Sequence, residues 1–297
     1  MNATRPDRRH HLPLWLLVAL SMACALVPRP AAAEGLVFQA TRTGSAPIFL
    51  VGTMHSDDPR IMAMLPRIVE LIGEVETVAL EVVQDPSGLA SAVAATFLPA
   101  GQNLFERADP ALRDELERAA ALRAVPLPLL ARMKPWAAAL VLGMPELSSG
   151  QFLDTAIQRE AGQLGRRLVG LEDAAEQLAV FDAMDEPLQL ALLHAAVKNL
   201  DELTTQVEEL TLAYLSGDLG QLEQSAAARC GEMDPAVEGW FREHLIQRRN
   251  RRMVERVREL ADAGPLLVAV GALHLPGESG LLASLERLGY RVEPRPG

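Results

Sequence analysis

The sequence predicts an α/β fold in which both ends of the chain contribute strands to one mixed β-sheet that carries a large helical insertion. Three observations predict it. Short segments rich in apolar and β-branched residues alternate with helical patterns near both ends of the chain. Between them, residues from about 87 to 263 have mainly helical periodicity. The composition, 49% hydrophobic and 23% charged, is that of a globular chain and excludes disordered and multi-span membrane proteins.

Six segments have the character of β-strands. The first two, 36–42 and 47–54, flank Thr43-Gly44-Ser45-Ala46, a turn sequence that predicts a hairpin. The segment 77–83 is nearly all apolar apart from Glu81, which indicates a buried central strand. The remaining strands are predicted at 166–172, 265–273 and 291–294.

Helical periodicity fills most of the intervening chain. Apolar residues recur at helical spacing from Pro59 to Gly73, which predicts one helix there. A long amphipathic run covers 187–215, and a strongly basic run covers 242–258. The stretch LLASLERLG at 281–289 predicts a last helix before the last strand.

The first 33 residues predict a secretory signal peptide that is not part of the fold. A basic start precedes a short apolar run at 12–27, and Ala31-Ala32-Ala33 matches an Ala-x-Ala cleavage site. The apolar run falls short of the roughly 20 residues of a spanning helix, which disfavours a membrane anchor. Cys24 leaves lipid attachment as a minor alternative. We therefore expect a periplasmic or secreted protein whose mature chain, 34–297, forms one domain without a transmembrane span.

The charge of the chain disfavours nucleic acid as a partner. There are 28 Lys and Arg residues against 39 Asp and Glu, for a formal net charge of −11. Binding of nucleic-acid phosphates requires a basic surface, which this composition does not provide. The sequence does not predict an oligomeric state.

Two histidines occupy matched positions in the sequence. FLVGTMH ends at His55 and VAVGALH ends at His274, so each is preceded by a buried strand, a glycine and two further residues. In open α/β sheets, ligands bind at the carboxyl ends of the strands. A single histidine at a loop start is more often a hydrogen-bonded structural residue, but the matched pair favours a shared metal site. Neutral imidazole suits zinc, manganese, iron or cobalt.

A hydrolytic metal site also needs a carboxylate and an open position for water. Glu81 is the first candidate, because a charge in the middle of an apolar strand is costly unless a cation offsets it. The alternative is that Glu81 pairs with an arginine. Glu172, at the end of its own strand, is the second candidate. Asp57 and Asp58 are weaker, since acidic residues after a strand commonly cap the next helix.

The densest positive run, Arg248-Arg249-Asn250-Arg251-Arg252, allows two interpretations. It is either a solvated helix face, or one arginine and Asn250 point into the cleft and hold a substrate carbonyl or an oxyanion. Tyr214 could donate a proton, although packing is favoured. His194 and His244 are predicted to be ordinary helix residues. The sequence contains no G-x-S-x-G, Walker A or H-E-x-x-H motif.

At these residues the sequence resembles the TraB/GumN family, which includes the Tiki-type metalloproteases. The matching pieces are FLVGTMHSDD (49–58), Leu65-Pro66, ALEVV (79–83), GLEDAAEQL (170–178), Tyr214 with Gly217-Asp218, Arg249-Asn250 and VGALHLPGESGLLASLERLGYRVEP (270–294). The resemblance covers almost the entire predicted mature chain and is weak between about 85 and 150. It departs at Phe152, where the family has a glycine two residues before the acidic residue that aligns with Asp154.

The resemblance implies an α/β fold related to the erythromycin-esterase and haem-binding ChaN group, a divalent-metal hydrolase site, and proteolysis as in the animal members. As the metal-associated set it marks His55, Glu81 and His274. As residues lining the site it marks Glu172, Arg249 and Asn250.

The prediction is therefore an exported hydrolase, a peptidase that acts on a peptide or protein with Mn, Co or Zn as its metal ion. Glu81 would complete the ligand set or act as general base, while Arg249 and Asn250 would stabilise developing negative charge. One alternative is a protein that binds haem or a metal ion without turnover. Another is a partner-binding scaffold with a degenerate site.

Overall fold

The computed structural model describes residues 36–83, 93–145, 151–230 and 234–295. The predicted signal peptide at 1–33 lies outside the described residues. Its cleavage, and the single domain expected over 34–297, stay predictions. Within the described ranges, we find no helix with the length and apolar character needed to cross a membrane.

Six strands form one mixed sheet, which confirms the predicted α/β class. In chain order they are β1 Val37–Thr41, β2 Ile48–Thr53, β3 Thr77–Val82, β4 Arg167–Glu172, β5 Leu266–Gly271 and β6 Arg291–Pro294. Their order in the sheet is β4-β3-β5-β2-β1-β6. Strands β4, β3, β5 and β2 run parallel, and β1 is antiparallel to both β2 and β6. Strand β5, from the C-terminal part of the chain, thus lies between β3 and β2, and β6 lies next to β1.

The central strands are apolar along their whole length because both faces of the sheet are covered. All six residues of β2 are buried. Phe49 and Val51 pack in the same cluster as Ile68, on one face of the sheet. Leu50 lies in a separate cluster with Met253, on the other face. Burial on both faces explains why β2 and β5 read as continuous apolar runs and not as alternating patterns.

The described helices cover the sheet and form the insertion. They are α1 Pro59–Met62, α2 Leu65–Glu74, α3 Leu104–Arg107, α4 Pro110–Leu122, α5 Leu127–Leu130, α6 Pro135–Gly143, α7 Leu153–Gln163, α8 Ala174–Asp182, α9 Glu186–Lys198, α10 Leu203–Leu215, α11 Leu219–Cys230, α12 Pro235–Trp240, α13 Arg248–Ala261 and α14 Leu281–Arg287. Short 3₁₀ helices lie at Leu200–Glu202 and Ala272–His274. A π-helix, Phe241–Gln247, joins α12 to α13.

Two of the predicted helical runs are divided in the structure. The run from Pro59 to Gly73 forms α1 and α2, because Pro66 lacks a backbone N–H and is accommodated only in the first turn of a new helix. The amphipathic run at 187–215 forms α9 and α10, separated at Leu200–Glu202. Asn199, which ends α9, has a low helix propensity that suits this break.

The helical insertion has a core of its own. Trp136 of α6 is 1% exposed and packs in one cluster with Leu116 of α4, Leu193 of α9 and Val237 of α12. Phe181 stacks on the Trp136 ring at 5.6 Å between ring centroids. The insertion therefore does not depend on the sheet alone for its burial of apolar surface.

Candidate functional site

The four parallel strands bring the predicted site residues to one edge of the sheet. Following the strand order, β4 ends at Glu172, β3 carries Glu81 next to its end, β5 leads to His274 and β2 leads to His55. Because β2 and β5 are hydrogen-bonded neighbours in parallel register, the two Gly-x-x-His segments leave the sheet side by side. This is the arrangement that their matched sequences suggested.

Gly271 allows the end of β5 to approach the neighbouring strand closely. The strand stops at this glycine, two residues earlier than predicted, and Ala272–His274 forms a 3₁₀ turn. The backbone N–H of Gly271 donates to Glu81 Oε1 at 2.5 Å. A Cβ atom at position 271 would lie 3.0 Å from the same oxygen. A larger residue there would require the carboxylate to shift by a few tenths of an ångström.

Gly52 has a similar role at the end of β2. A Cβ atom there would lie 3.1 Å from the Cβ of Ala272, so the glycine lets β2 pack against the turn that follows β5. The hydroxyl of Tyr214 donates to the carbonyl of Gly52 at 2.8 Å. Tyr214 is 1% exposed, and burial raises its pKa. This residue therefore packs and supports the strand, as predicted.

Asn250 fixes the tautomer of His274. The Asn250 amide donates to the carbonyls of His274, at 3.3 Å, and of Ser279, at 2.9 Å. Its oxygen therefore faces His274 Nδ1 at 2.6 Å. Nδ1 must carry the hydrogen, which leaves the lone pair of the neutral ring on Nε2. His274 is 4% exposed, and burial lowers its pKa, which favours the neutral form.

Glu81 lies between His274 and Arg249. Its Oε1 is 3.6 Å from His274 Nε2, and its Oε2 accepts from the Arg249 guanidinium at 2.7 Å. Gln177 donates to Oε2 at the longer distance of 3.4 Å. Burial alone would raise the pKa of Glu81, but the charge of His274 in its protonated form, the Arg249 guanidinium and the Gly271 N–H outweigh it and lower the pKa to about 2. Glu81 therefore adjoins a histidine of the predicted metal site and also pairs with an arginine, which was the alternative considered for it.

Arg249 connects Glu81 to Glu172. Its Nε donates to Glu172 Oε2 at 2.7 Å, while Arg252 donates to the other oxygen of Glu172 at 2.9 Å. The Glu172 side chain is fully buried and that of Arg249 is 7% exposed. Although burial opposes it, the two carboxylates raise the pKa of Arg249, which remains a cation.

These contacts differ from the predicted roles of Arg249 and Asn250 in stabilising negative charge on a substrate. The nitrogens of Arg249 bind two carboxylates and, at 3.3 Å, the carbonyl of Leu245. The amide nitrogen of Asn250 serves two backbone carbonyls. In this geometry both side chains organise the site from within. Both residues lie on the buried face of α13. The sequence pattern alone did not show which residues of this helix are buried and which face solvent.

His55 lies on the open side of the site. Its side chain is 66% exposed, and its ring lies 5.6 Å from that of Phe152. His55 Nε2 is 3.7 Å from Asp154 Oδ2. Asp154 was not among the predicted site residues, since it is held there by a hydrogen bond from Thr53, 101 positions away in sequence. The one sequence signal was its place in the resemblance to the family.

The donors suit a divalent cation but are not gathered as a preformed site. Within the part of the chain that the structure describes, no three His, Cys, Asp or Glu side chains are grouped closely enough to hold an ion. The predicted set is divided because His55 lies beside Asp154, whereas Glu81 adjoins His274. The chemistry nevertheless fits, because His274 Nε2 carries a lone pair and the buried Asp154 Oδ2 finds no hydrogen-bond partner within the described ranges.

Three further polar residues have the ordinary roles predicted for them. Asp58 caps α1, where its Oδ1 accepts from the backbone N–H of Arg60 at 2.8 Å. His194 lies on α9, half exposed, with its Nε2 3.5 Å from a Glu115 oxygen. His244 stacks on Trp240 with 4.9 Å between the ring centroids.

Glu81 is expected to make the metal-free protein lose stability in acid. Its pKa is about 2 in the folded state against an ordinary value of 4.5. A lowered folded-state pKa contributes stability that is present above the unfolded pKa and is lost as pH falls through the folded pKa. This difference corresponds to about 3 kcal/mol of unfolding free energy, lost between about pH 4.5 and about pH 2.

Urea denaturation in the presence of EDTA, from about pH 7 to about pH 2, measures this effect. We expect Glu81→Gln to be less stable than wild type at neutral pH and to lose less stability in acid. Glu70→Gln, on the exposed surface of α2, controls for the loss of one carboxylate. Equal acid dependence in wild type and Glu81→Gln would refute the assignment.

Comparison with known proteins gives both a family and two named relatives. The family model described as the TraB/PrgY/gumN family matches residues 36–294. Metalloprotease TIKI1 of Danio rerio is 24% identical over 304 aligned residues, which cover 84% of this chain and 61% of the relative. Metalloprotease TIKI2 of Danio rerio is 26% identical over 167 residues, covering 48% of this chain and 32% of the relative.

The matches differ in how much of this chain and of each relative they cover. The chain spans about three fifths of the length of the first relative and about a third of the second. No solved structure matches the chain, so the relation to the erythromycin-esterase and ChaN fold stays a prediction. The family model, in contrast, reaches from the first residue before β1 to the last residue of β6. The protein therefore belongs to the TraB/PrgY/gumN family.

Proposed function

We propose that this protein is an exported peptidase that depends on a divalent metal ion. The observation that carries the proposal is the pairing of β2 with β5, which brings His55 and His274 to the same edge of the sheet, where Glu81 adjoins His274. The two relatives are both named metalloproteases, which supports the reaction class. The proposed export rests on the signal-peptide pattern at 1–33.

In this proposal His55, His274 and Glu81 hold a Mn, Co or Zn ion. Such an ion, when bound, polarises a carbonyl group and lowers the pKa of water. Glu81 is better suited to bind the ion than to act as general base, because a base with a pKa of about 2 accepts a proton poorly at neutral pH. Each carboxylate oxygen of Glu81 has two lone pairs. One on each oxygen therefore remains available for the ion while the oxygens accept hydrogen bonds from Gly271 and Arg249.

The surrounding residues act by positioning these groups. Asn250 holds His274 so that Nε2 faces Glu81, and Glu172 holds Arg249, which in turn holds Glu81. The exposed side chain of His55 marks the side from which a peptide would enter. The buried position of His274, with Nε2 directed at a carboxylate, favours a small cation over the large ring of haem.

A peptide-library cleavage assay tests the proposal. The purified protein is stripped of metal and reloaded separately with Mn, Co or Zn. We expect cleavage with at least one ion, its loss on adding EDTA, and no cleavage by the variant His55→Ala/His274→Ala under any of these conditions. Cleavage that persists in EDTA, or in the double variant, would contradict the proposed metal-dependent chemistry. A metal-loaded protein that cleaves no peptide would contradict the proposed substrate class.

A further inference from the structure

The carboxylate of Asp154 is the part of the site that the proposed function leaves unused. Its Oδ2 atom is buried and, among the residues that the structure describes, has no hydrogen-bond partner. The imidazole of His55 lies beside this oxygen, with Nε2 at 3.7 Å, beyond hydrogen-bond distance. A buried carboxylate oxygen without a donor is costly, so a partner absent from the protein chain is expected to satisfy it.

We propose that Asp154 is a ligand of the divalent cation, together with His55, Glu81 and His274. This inference rests on the proposed function and extends its donor set to a second carboxylate. The two carboxylates differ in the hydrogen bonds that their oxygens already accept. Each oxygen of Glu81 already accepts a hydrogen bond, from Gly271 and from Arg249, whereas Asp154 Oδ2 accepts none from any described residue. Asp154 thus supplies the carboxylate oxygen that is free to bind a cation.

The protein holds this oxygen in a defined direction. Thr53, which is 2% exposed and lies two residues before His55, donates to Asp154 Oδ1 at 2.6 Å. This hydrogen bond engages one oxygen and turns the other toward His55. Asp154 also lies in the first turn of the eleven-residue helix α7, where the helix dipole favours an anion. Phe152, just before α7, packs against the His55 ring. The start of α7 therefore carries Asp154 and also helps to position His55.

The charge balance of the site also favours a cation next to Asp154. Glu172 and Glu81 are paired with Arg249 and Arg252, whereas no arginine or lysine of the described part of the chain pairs with the Asp154 carboxylate. His55 is exposed and lies within reach of the same oxygen. A divalent ion bound between the two would neutralise Asp154 and would use the imidazole nitrogen that now faces it.

Titration of the metal-free protein with Co²⁺, followed by calorimetry and by visible absorption, tests this inference without an activity assay. We expect Asp154→Asn to weaken Co²⁺ binding by more than about 100-fold, beyond the range typical of a residue outside the coordination shell. We also expect a changed Co²⁺ absorption spectrum. The variant keeps an oxygen for the Thr53 hydrogen bond, so the local structure is preserved.

Asp58→Asn is the matched control, because it removes a carboxylate three residues from His55 and retains a side chain that caps α1. It should bind Co²⁺ as wild type does. Unchanged affinity in Asp154→Asn would overturn the inference, as would weaker binding with an unchanged spectrum. Should Asp154→Asn fail to fold, Asp154→Glu replaces it, and an unaltered spectrum in that variant would overturn the inference. Wild-type protein that binds no ion would refute the proposed function as well.

Discussion

Replacing His274 with alanine is expected to abolish metal binding and to reduce peptide cleavage to background. The hydrogen bond between Nδ1 and Asn250 fixes the lone pair of neutral His274 on Nε2, the nitrogen that faces Glu81. Alanine removes this donor and also leaves the buried Asn250 oxygen without its partner, which costs about 1–3 kcal/mol of stability. Calorimetric titration with Mn, Co or Zn and the kcat/KM for the best library peptide measure the two effects.

His194→Ala is the matched control for this variant. His194 is half exposed on α9, and its Nε2 lies 3.5 Å from a Glu115 oxygen, away from the residues of the candidate site. We expect its metal affinity and kcat/KM to match those of wild type. Retention of kcat/KM within about tenfold of wild type in His274→Ala would contradict the role given to this histidine, since tenfold is only about 1.4 kcal/mol of barrier.

Arg249→Met is expected to destabilise the protein by about 3–5 kcal/mol, the range found when one partner of a buried ion pair is removed. Methionine fills a similar volume but leaves Glu81 and Glu172 without the guanidinium that bridges them. Glu172 retains Arg252, so the larger effect falls on Glu81. Urea denaturation of metal-free protein at neutral pH measures the change in unfolding free energy.

Arg251→Met on the same helix provides the comparison. Its side chain is 61% exposed and pairs with Glu243 at the surface, where an ion pair contributes only about 0–1 kcal/mol. We therefore expect Arg249→Met to lose clearly more unfolding free energy than Arg251→Met, although the two arginines are only two positions apart on α13. Equal loss of stability in the two variants would show that Arg249 has no special role in holding the site together.

The features of the fold that the sequence predicts are those set by local patterns. The strands were predicted to within about two residues, because burial on both faces makes β2, β3 and β5 continuous apolar runs. The Gly-x-x-His segments were recognisable because each places its glycine where a strand ends. Their adjacency depended on strand order, with β5 between β3 and β2, which no local pattern specifies.

The parts of the site that were not predicted depend on contacts between distant segments. Asp154 reaches the site through Thr53, 101 positions earlier, and nothing near Asp154 in sequence indicates that contact. For Arg249 and Asn250 the sequence left open both a solvated helix face and an orientation into the cleft, and choosing between them required knowing which face of α13 packs on the sheet. The exposed position of His55 is a property of its side-chain conformation, which the spacing of the motif does not determine.

His55 and His274 are proposed to bind one divalent ion between them. The metal content of the protein tests this shared site, after purification without chelator, reloading with Mn, Co or Zn, removal of excess ion and analysis by inductively coupled plasma mass spectrometry. We expect about one ion per chain in wild type, as for a mononuclear site, and none in His55→Ala/His274→Ala. An unchanged ion content in the folded double variant, or no ion in wild type, would contradict it.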